Sequence, residues 1–434
     1  MAINRYEKYK PSGVDWIGEI PYSWIMLANK HIFNLNKDLV GKRSSEYDLL
    51  SLTLRGIIKR DMVNPEGKFP AEFDTYQEVK IGDFIFCLFD VEETPRTVGL
   101  SEFDGMITGA YTVMRTSPES KKKFLYYVFL NLDEKKRLKF LYRGLRNTIP
   151  KESFMTLKIP FPPLPEQQAI AEFLDDKTGK IDQNIFLKQK EINLLKERRQ
   201  ILIQKAVTKG LNDQVKMKDS GVDWIGEIPE HWEVRKLKYC LSSKLKYGGN
   251  ESGVEYDPEL PRYVRITDFG YNGKLSEDKK LSLTWSQGKD YLLKDGDILF
   301  ARSGATVGKS YQFKSSMSIE KQYSFAGYLI KAEVDERIIS SNYLYLYTNS
   351  NLFDNWKSAI FNKATIENIG ADKYSVLSVV IPPFEEQEEI LVEFNLKDEK
   401  ISKAISIKEQ EIEKLKEYKT VLIDNVVTGK VKVN

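Results

Sequence analysis

The strongest constraint on this chain is that part of it is written twice. Residues Ser12–Pro21 read SGVDWIGEIP, and Ser220–Pro229 read the same ten residues at an offset of 220 − 12 = 208. A second pair, PPLPEQQAI at Pro162–Ile170 and PPFEEQEEI at Pro382–Ile390, is offset by 382 − 162 = 220. That offset holds to the end, where Ile192–Gly210 aligns with Ile412–Lys430. The middles between these anchors have diverged almost completely, and the second is longer by 220 − 208 = 12 residues. Self-similarity of this kind marks a duplicated structural unit. Like ends imply one task done twice, and unlike middles imply two different tasks.

The shared ends read as helices. After each Pro-Pro pair comes a stretch of about 40 residues with apolar positions at alternating spacings of three and four, which places them on one helix face. One row is Leu174, Ile181, Lys188, Leu195 and Leu202, flanked by Thr178, Ile185, Ile192, Arg199 and Ala206. The second copy repeats it with Phe394, Ile401, Lys408, Leu415 and Leu422, flanked by Asp398, Ile405, Ile412, Lys419 and Val426. The polar breaks recur too, Lys188 with Lys408 and Arg199 with Lys419. A helix of about 40 residues spans roughly 60 Å and cannot bury such a stripe alone. The simplest partner is the other copy, packed antiparallel as a coiled coil; the alternative is that each helix lies along its own domain. Pro160, Pro162, Pro163 and Pro165, with Pro382 and Pro383, keep either helix from starting earlier. Glycines at 210 and 429 fit the two helix ends.

The middles, about 25–160 and 233–380, are rich in Tyr, Phe, Ile and Val. Short strand-like runs stand out at Phe84–Phe89, Ala110–Met114, Arg262–Ile266, Asp297–Ala301 and Gly327–Lys331, bounded by turn signals such as Gly82-Asp83 and Asp295-Gly296. Helices are expected over Lys121–Leu130 and Asn342–Lys357. The class is α+β: two mixed, mainly β globular domains separated by two long helices. The expected boundaries are 1–165 for the first domain with its leading segment, 166–210 for the central helix, 211–384 for the second domain, and 385–434 for the C-terminal helix. A shared scaffold survives weakly, since Gly82-Asp83-Phe-Ile-Phe resembles Gly296-Asp297-Ile-Leu-Phe, while the loops that follow are rewritten.

Several chemistries are excluded. Two cysteines, Cys87 and Cys240, cannot build a disulfide framework or a cysteine metal cage. Two histidines, His31 and His231, leave no His-pair metal site and no His-based triad. Ser303–Ser310 (SGATVGKS) falls one residue short of the phosphate-binding loop, which needs four residues between its glycines. No nucleophile elbow or dinucleotide fingerprint is present, so nothing in the sequence argues for an enzyme. No apolar run approaches a membrane span, and a soluble, cytoplasmic protein is expected. A net charge of +3 gives no overall basic field, so a nucleic-acid surface would have to be a local patch.

On the GVDWIGEIP-x-x-W segments (Gly13–Trp24, Gly221–Trp232), the PPLPEQ and PPFEEQ motifs and the two homologous helices, the chain resembles the specificity subunit of Type I restriction–modification systems. The resemblance covers nearly the whole chain. It implies two target recognition domains, each reading one half of a split, asymmetric site in double-stranded DNA, with the helices as spacer. It also implies two methyltransferase subunits as partners, and two restriction subunits in the full complex. S-adenosylmethionine, ATP and Mg would belong to those partners, with no cofactor or metal in this chain and no membrane. Trp16, Trp24, Trp224 and Trp232 are expected to pack the leading segments onto the helices, with partner docking as the alternative.

DNA-contacting candidates follow from residue type and loop position. In the first domain they are Arg55, Lys59, Arg60, Arg96, Arg143, Arg146 and Asn147. In the second they are Lys246, Tyr247, Asn250, Arg265, Arg302, Ser303, Thr306, Lys309, Lys321 and Lys363. Taken singly, any of these is more often a solvated surface charge. Arg143–Thr148 and Asn362–Thr365 occupy matching places before each long helix, which favours those loops as sets.

Overall fold

The computed structural model describes residues 4–62, 72–117, 120–212, 214–270, 273–304, 306–361 and 368–433. The chain divides into two compact units: unit 1 is Met1–Gln189 with Glu409–Asn434, and unit 2 is Lys190–Lys408. Both boundaries fall inside long helices, Leu164–Thr208 and Phe384–Val427. Each unit therefore owns one globular domain and half of each helix.

In unit 1 the two helical halves run antiparallel. Lys188 meets Glu411 at 2.6 Å and Lys419 meets Asp182 at 2.7 Å. In unit 2 the halves pair in the same sense, Lys408 with Glu191 and Arg199 with Asp398 at 2.6 Å. Every residue of the expected seam is buried or half-buried: Leu174, Ile181, Ile185, Ile192, Leu195 and Leu202 on the first helix, and Phe394, Ile401, Ile405, Ile412, Leu415 and Leu422 on the second. The polar breaks are matched rather than tolerated, because each cation reaches an acid of the other helix.

The globular part of unit 1 is built on a four-stranded antiparallel sheet in the order Phe33–Leu35, Thr112–Thr116, Phe84–Phe86, Val98–Leu100. Unit 2 repeats it with Lys246–Tyr247, Leu329–Ala332, Ile298–Ala301, Ser310–Gln312. The registers correspond: Phe84 lies opposite Met114 and Leu100, and Ile298 lies opposite Ala332 and Gln312. Here the offset between copies is already 298 − 84 = 214, and 332 − 114 = 218 across the next strand. The extra residues of the second copy thus enter in instalments around an unchanged sheet. Beside the sheet the units differ. Unit 1 carries the hairpin Leu50–Thr53/Gly56–Lys59 and the pair Gln77–Val79/Gly105–Ile107, whereas unit 2 carries a second four-stranded sheet containing one parallel pair, Arg262–Val264 with Tyr323–Phe325.

The Gly-Asp dipeptide that survives in both copies has one structural job. The carboxylate of Asp83 accepts the Lys80 backbone N–H at 2.9 Å, and that of Asp297 accepts the Lys294 N–H at 2.8 Å. Each acid is buried beside a cation of the neighbouring strand, Arg115 at 3.4 Å and Lys331 at 3.1 Å. Burial nevertheless raises the pKa of both carboxyls.

The duplicated ten residues supply the turn and the second strand of a hairpin in each unit, Tyr9–Pro11 with Glu19–Pro21 and Met217–Asp219 with Glu227–Pro229. Ser12 Oγ accepts the Val14 N–H and Ser220 Oγ accepts the Val222 N–H, closing the same turn. Trp24 and Trp232 are fully buried, which fits the packing expectation. A Cβ at Gly429 would meet Trp24 and Pro21, and one at Gly210 would meet Trp232. Both glycines have positive φ, so the helix end and the indole approach each other where no side chain fits.

The α+β class is as expected, with differences in detail. The first expected helix runs longer, Lys122–Glu134. The second is two helices, Ser341–Tyr347 and Asn351–Phe361, because Thr348 and Ser350 turn their hydroxyls to the carbonyls of Tyr345 and Tyr347 and end the first. Of the near-phosphate-loop, the described residues 303–304 and 306–309 lie between two strands of the main sheet, and Ser310 opens the second of them.

The motif glutamines explain the PPLPEQ and PPFEEQ segments. Gln167 is fully buried; its amide donates to the Pro162 carbonyl at 2.9 Å and accepts the Lys121 N–H, which caps helix Lys122–Glu134. Gln387 does the same, donating to the Pro382 carbonyl and accepting the N–H of Ser340, the cap of helix Ser341–Tyr347. Removing such an amide strands buried backbone groups. Gln387→Ala should therefore cost roughly 2 kcal/mol in urea unfolding; a loss below about 0.5 kcal/mol, typical of a surface change, would contradict this role.

Candidate nucleic-acid interface

Two loops of unit 1 meet at one end of its sheet. The first, 87–97, leaves strand Phe84–Phe86, and the second, 142–149, precedes the short helix Lys151–Thr156. They are joined by backbone hydrogen bonds, Ile149 N–H to Leu88 O at 2.7 Å and Asp90 N–H to Arg146 O at 2.8 Å. Arg146 grips the Asp90 carboxylate through two nitrogens, Nε at 3.0 Å, and lies over the Phe89 ring at 5.7 Å. The Arg146 hydrogen bond holds the Asp90 carboxyl below the usual carboxylate range.

Unit 2 builds the equivalent place with different side chains. Ile369 N–H bonds Arg302 O at 2.8 Å, the counterpart of Ile149 to Leu88, and Ser303 bridges Asn368. Arg302 lies over the Tyr247 ring at 5.1 Å, and the Tyr247 hydroxyl accepts the Ala371 N–H at 2.9 Å. Farther along the same loop, Lys309 donates to the Phe269 carbonyl at 2.8 Å. Beside it opens a cleft of about 760 Å³ whose lining includes Phe269, Thr306, Lys309, Arg199 and Asp398.

The candidates therefore sort by what they already hold. Arg143, Arg146 and Asn147 come together on one loop of unit 1; Tyr247, Arg302 and Ser303 come together in unit 2, with exposed Lys246 and Asn250 on the adjoining strand and turn. Thr306 is exposed and Lys309 stands on Phe269. Others sit apart. Arg96 is only 15% exposed, turned onto Asp133 and Glu134 of the domain helix. Arg265 is engaged by Asp268 at 2.9 Å, and Lys321 by Glu259 at 2.8 Å. Arg55 lies in the turn of the 50–59 hairpin, Lys59 pairs with Asp48, and the Arg60 N–H bonds the Leu49 carbonyl. Lys363 lies outside the described residues. Residue type alone missed Phe89, Asp90 and Phe269, on which the loop cations rest, and Tyr111, on which Phe89 stacks.

Among the described residues no group of three or more His, Cys, Asp or Glu side chains is placed to hold a metal ion, and no helix is long and apolar enough to cross a membrane.

Known proteins align along the same lines. Residues 98–197, from the third sheet strand through the 142–149 loop into the first long helix, match the family described as Type I restriction modification DNA specificity domain. The chain is 26% identical over 443 residues to the putative type I restriction enzyme MjaX specificity subunit of Methanocaldococcus jannaschii, covering 96% of each. It is 28% identical over 336 residues to the type I restriction enzyme MjaVIII specificity subunit of the same organism, 73% of this chain and 72% of that one. A solved chain from a study of assembly and conformational transition of the type I R-M system superposes with a TM-score of 0.68 at 14% identity, covering 94% of this chain and 98% of that chain, a likeness of fold.

The Asp90–Arg146 pair makes the loop testable without any ligand. Because the folded pKa of Asp90 is lowered, the pair persists above the ordinary aspartate range and is lost only as pH falls through the lower value. Asp90→Asn should leave global stability unchanged but speed tryptic cleavage after Arg143 or Arg146 several-fold at neutral pH. An unchanged cleavage rate would show that the pair does not order the loop.

Proposed function

We propose that this chain, which belongs to the family of Type I restriction–modification specificity subunits, reads a bipartite, asymmetric DNA site with one half-site per unit. The observation that carries the reading is the repeated sheet register bearing unlike loops at equivalent positions: one mode of presentation, two contact chemistries. In unit 1 the loop after strand Phe84–Phe86 carries Asp90, which braces Arg146, and in unit 2 the equivalent loop carries Arg302 over the Tyr247 ring. Two different readers imply a non-palindromic target, in contrast to the palindromes read by identical halves of a repressor dimer. Base edges are read by Arg, Lys, Asn and Gln, and phosphates fix register without carrying sequence.

In this reading the chain contributes recognition and assembly, and no bond is made or broken by its own residues. The length of the paired helices sets the gap between half-sites. The duplicated hairpins and helices offer two near-identical docking surfaces, which suits two copies of a methyltransferase subunit, with two restriction subunits joining in the full complex. S-adenosylmethionine, ATP and Mg act in those partners.

Two experiments test it. Replacing residues 25–160 by the corresponding domain of another subunit, followed by methylome sequencing of the carrying strain, should change one half-site and leave the other and the gap intact; both halves unchanged would refute the assignment. Arg143→Ala, measured with the methyltransferase complex, should lower the slope of log affinity against log salt by about one if Arg143 contacts a phosphate. A slope that stays constant removes Arg143 from the phosphate set.

A further inference from the structure

Leu145 is more exposed than any other large apolar side chain among the described residues, at 104% of its reference area. Single apolar residues on a surface need no explanation. This one stands at the tip of a turn built to hold it. Arg143 and Thr148 exchange two backbone hydrogen bonds, at 2.8 and 3.0 Å, and Asn147 N–H reaches Gly144 O at 3.3 Å. Gly144 and Asn147 both take positive φ, +67° and +43°, and Asp90, the residue that Arg146 grips, does so as well at +46°. Two non-glycine residues in left-handed conformations on opposing loops are a local cost that the fold maintains, and such costs concentrate where geometry serves a contact. Below the turn, Arg146 rests on Phe89, and Phe89 stacks on Tyr111 with centroids 6.0 Å apart.

We propose that Leu145 is a wedge that enters a base step of the duplex bound by unit 1, with Arg143 and Arg146 straddling it on the backbone. The inference rests on the DNA-reading assignment above and adds a deformation to it. Apolar side chains inserted between base pairs partly unstack them and kink the duplex, and the extra contacts that a bent duplex allows offset the unstacking. Insertion needs a short apolar tip, a turn that does not fold back, and cations beside it to draw in phosphates. The 143–148 turn supplies all three, and Arg143 has no carboxylate partner among the described residues, its guanidinium donating only to the Tyr142 carbonyl. A protein pocket would also accept a leucine, but Arg143 beside it, which no carboxylate engages among the described residues, favours a polyanion. Sequence-dependent stiffness at that step then gives specificity where no base edge is read.

The test uses the complex with its methyltransferase subunits and a duplex carrying the sequence found by methylome sequencing. 2-Aminopurine is placed at successive positions through the half-site assigned to unit 1. Wild type should raise its fluorescence several-fold at one step. Leu145→Ala and Leu145→Ser should abolish the rise and weaken binding roughly tenfold, and Leu145→Met should retain both. Because the side chain touches nothing in the fold, these variants should melt with wild type. An equal rise with Leu145→Ala, or no rise at any step while sequence-specific binding persists, would overturn the wedge and leave the recognition reading standing. So would a loss of methyltransferase association in Leu145→Ala, seen by size-exclusion, with the fluorescence rise intact. A wild-type complex that binds all sequences alike would sink the recognition reading and the wedge with it.

Discussion

A buried primary amide joins each domain to its long helix. Gln167 and Gln387 each donate to the carbonyl of the proline that follows the last strand and accept the N–H of the residue at the N-cap of a domain helix. Asparagine is one methylene shorter, and neutral histidine, which also carries a donor and an acceptor on a planar group, sets them apart on a rigid ring. Glutamate would bring an uncompensated charge into a fully buried place, and leucine would leave both backbone groups without partners. The amide therefore ties two features that sequence separates by more than forty residues, the start of the long helix and the start of the domain helix. Each domain consequently has one orientation on its own helix. A loop displayed by the domain inherits that orientation, so its side chains are aimed by the scaffold and not by the loop alone.

The second joint constrains the other side of each domain. The leading hairpin sets a fully buried tryptophan against a glycine in which φ is positive and no Cβ fits, Trp24 on Gly429 and Trp232 on Gly210. Both joints and the register of the main sheet are the same in the two units. The residues after the strands are then free to vary, which is why the copies keep their ends and lose similarity in their middles. The added residues of the second copy go into the strands beside the sheet, and there the buried Arg262–Glu320 pair at 3.1 Å, tied further to Glu277 and Lys280, does work that unit 1 leaves to aliphatic contacts among Leu50, Ile57, Val79 and Ile107.

The long helices were legible because their pattern is local: a three–four alternation over about 40 residues has no competing reading. Their polar interruptions were visible but not interpretable, since the partners Glu411, Glu191, Asp398 and Asp182 lie two hundred residues away. The middles were legible as strands and helices of roughly the right place, but not as one sheet twice over, because strands of two to five residues carry little periodicity and their order is a non-local fact. The break at Thr348–Ser350 was hidden, since hydroxyls that cap in context look neutral in sequence. The candidate interface shows the same limit. Residue type identifies every cation on a loop equally, and only packing separates Arg96, folded onto Asp133, from Arg143, which no acid engages among the described residues. The 143–148 set stood out because it sits at a constant offset before the helix, a signal of position and not of chemistry; its counterpart at 362–365 lies outside the described residues.

The seam itself carries a further consequence of duplication. Lys188 with Glu411 and Lys408 with Glu191 are the same pair under the offset of 220, since 188 + 220 = 408 and 411 − 220 = 191. At the next break the acid has moved one turn: Arg199 meets Asp398 and Ser402, whereas Lys419 meets Asp182, the counterpart of Ser402, and Thr178 stands where Asp398 would be. Charge matching has thus been kept while the residue supplying it has changed, which argues that the match itself is what is retained. Yet the matching does not distinguish partners. Lys188 would find Glu191, and Arg199 would find Asp182, if the first helix met a second copy of itself in the same register. Exposed pairs of this kind contribute only about 0.2–1 kcal/mol each, so they can favour a register but not select one helix over its homologue. The selection comes from covalent linkage, which raises the effective concentration of the second helix around the first and makes the unlike pairing the one that forms. Two different recognition units are thereby kept in one molecule without the seam having to encode their difference.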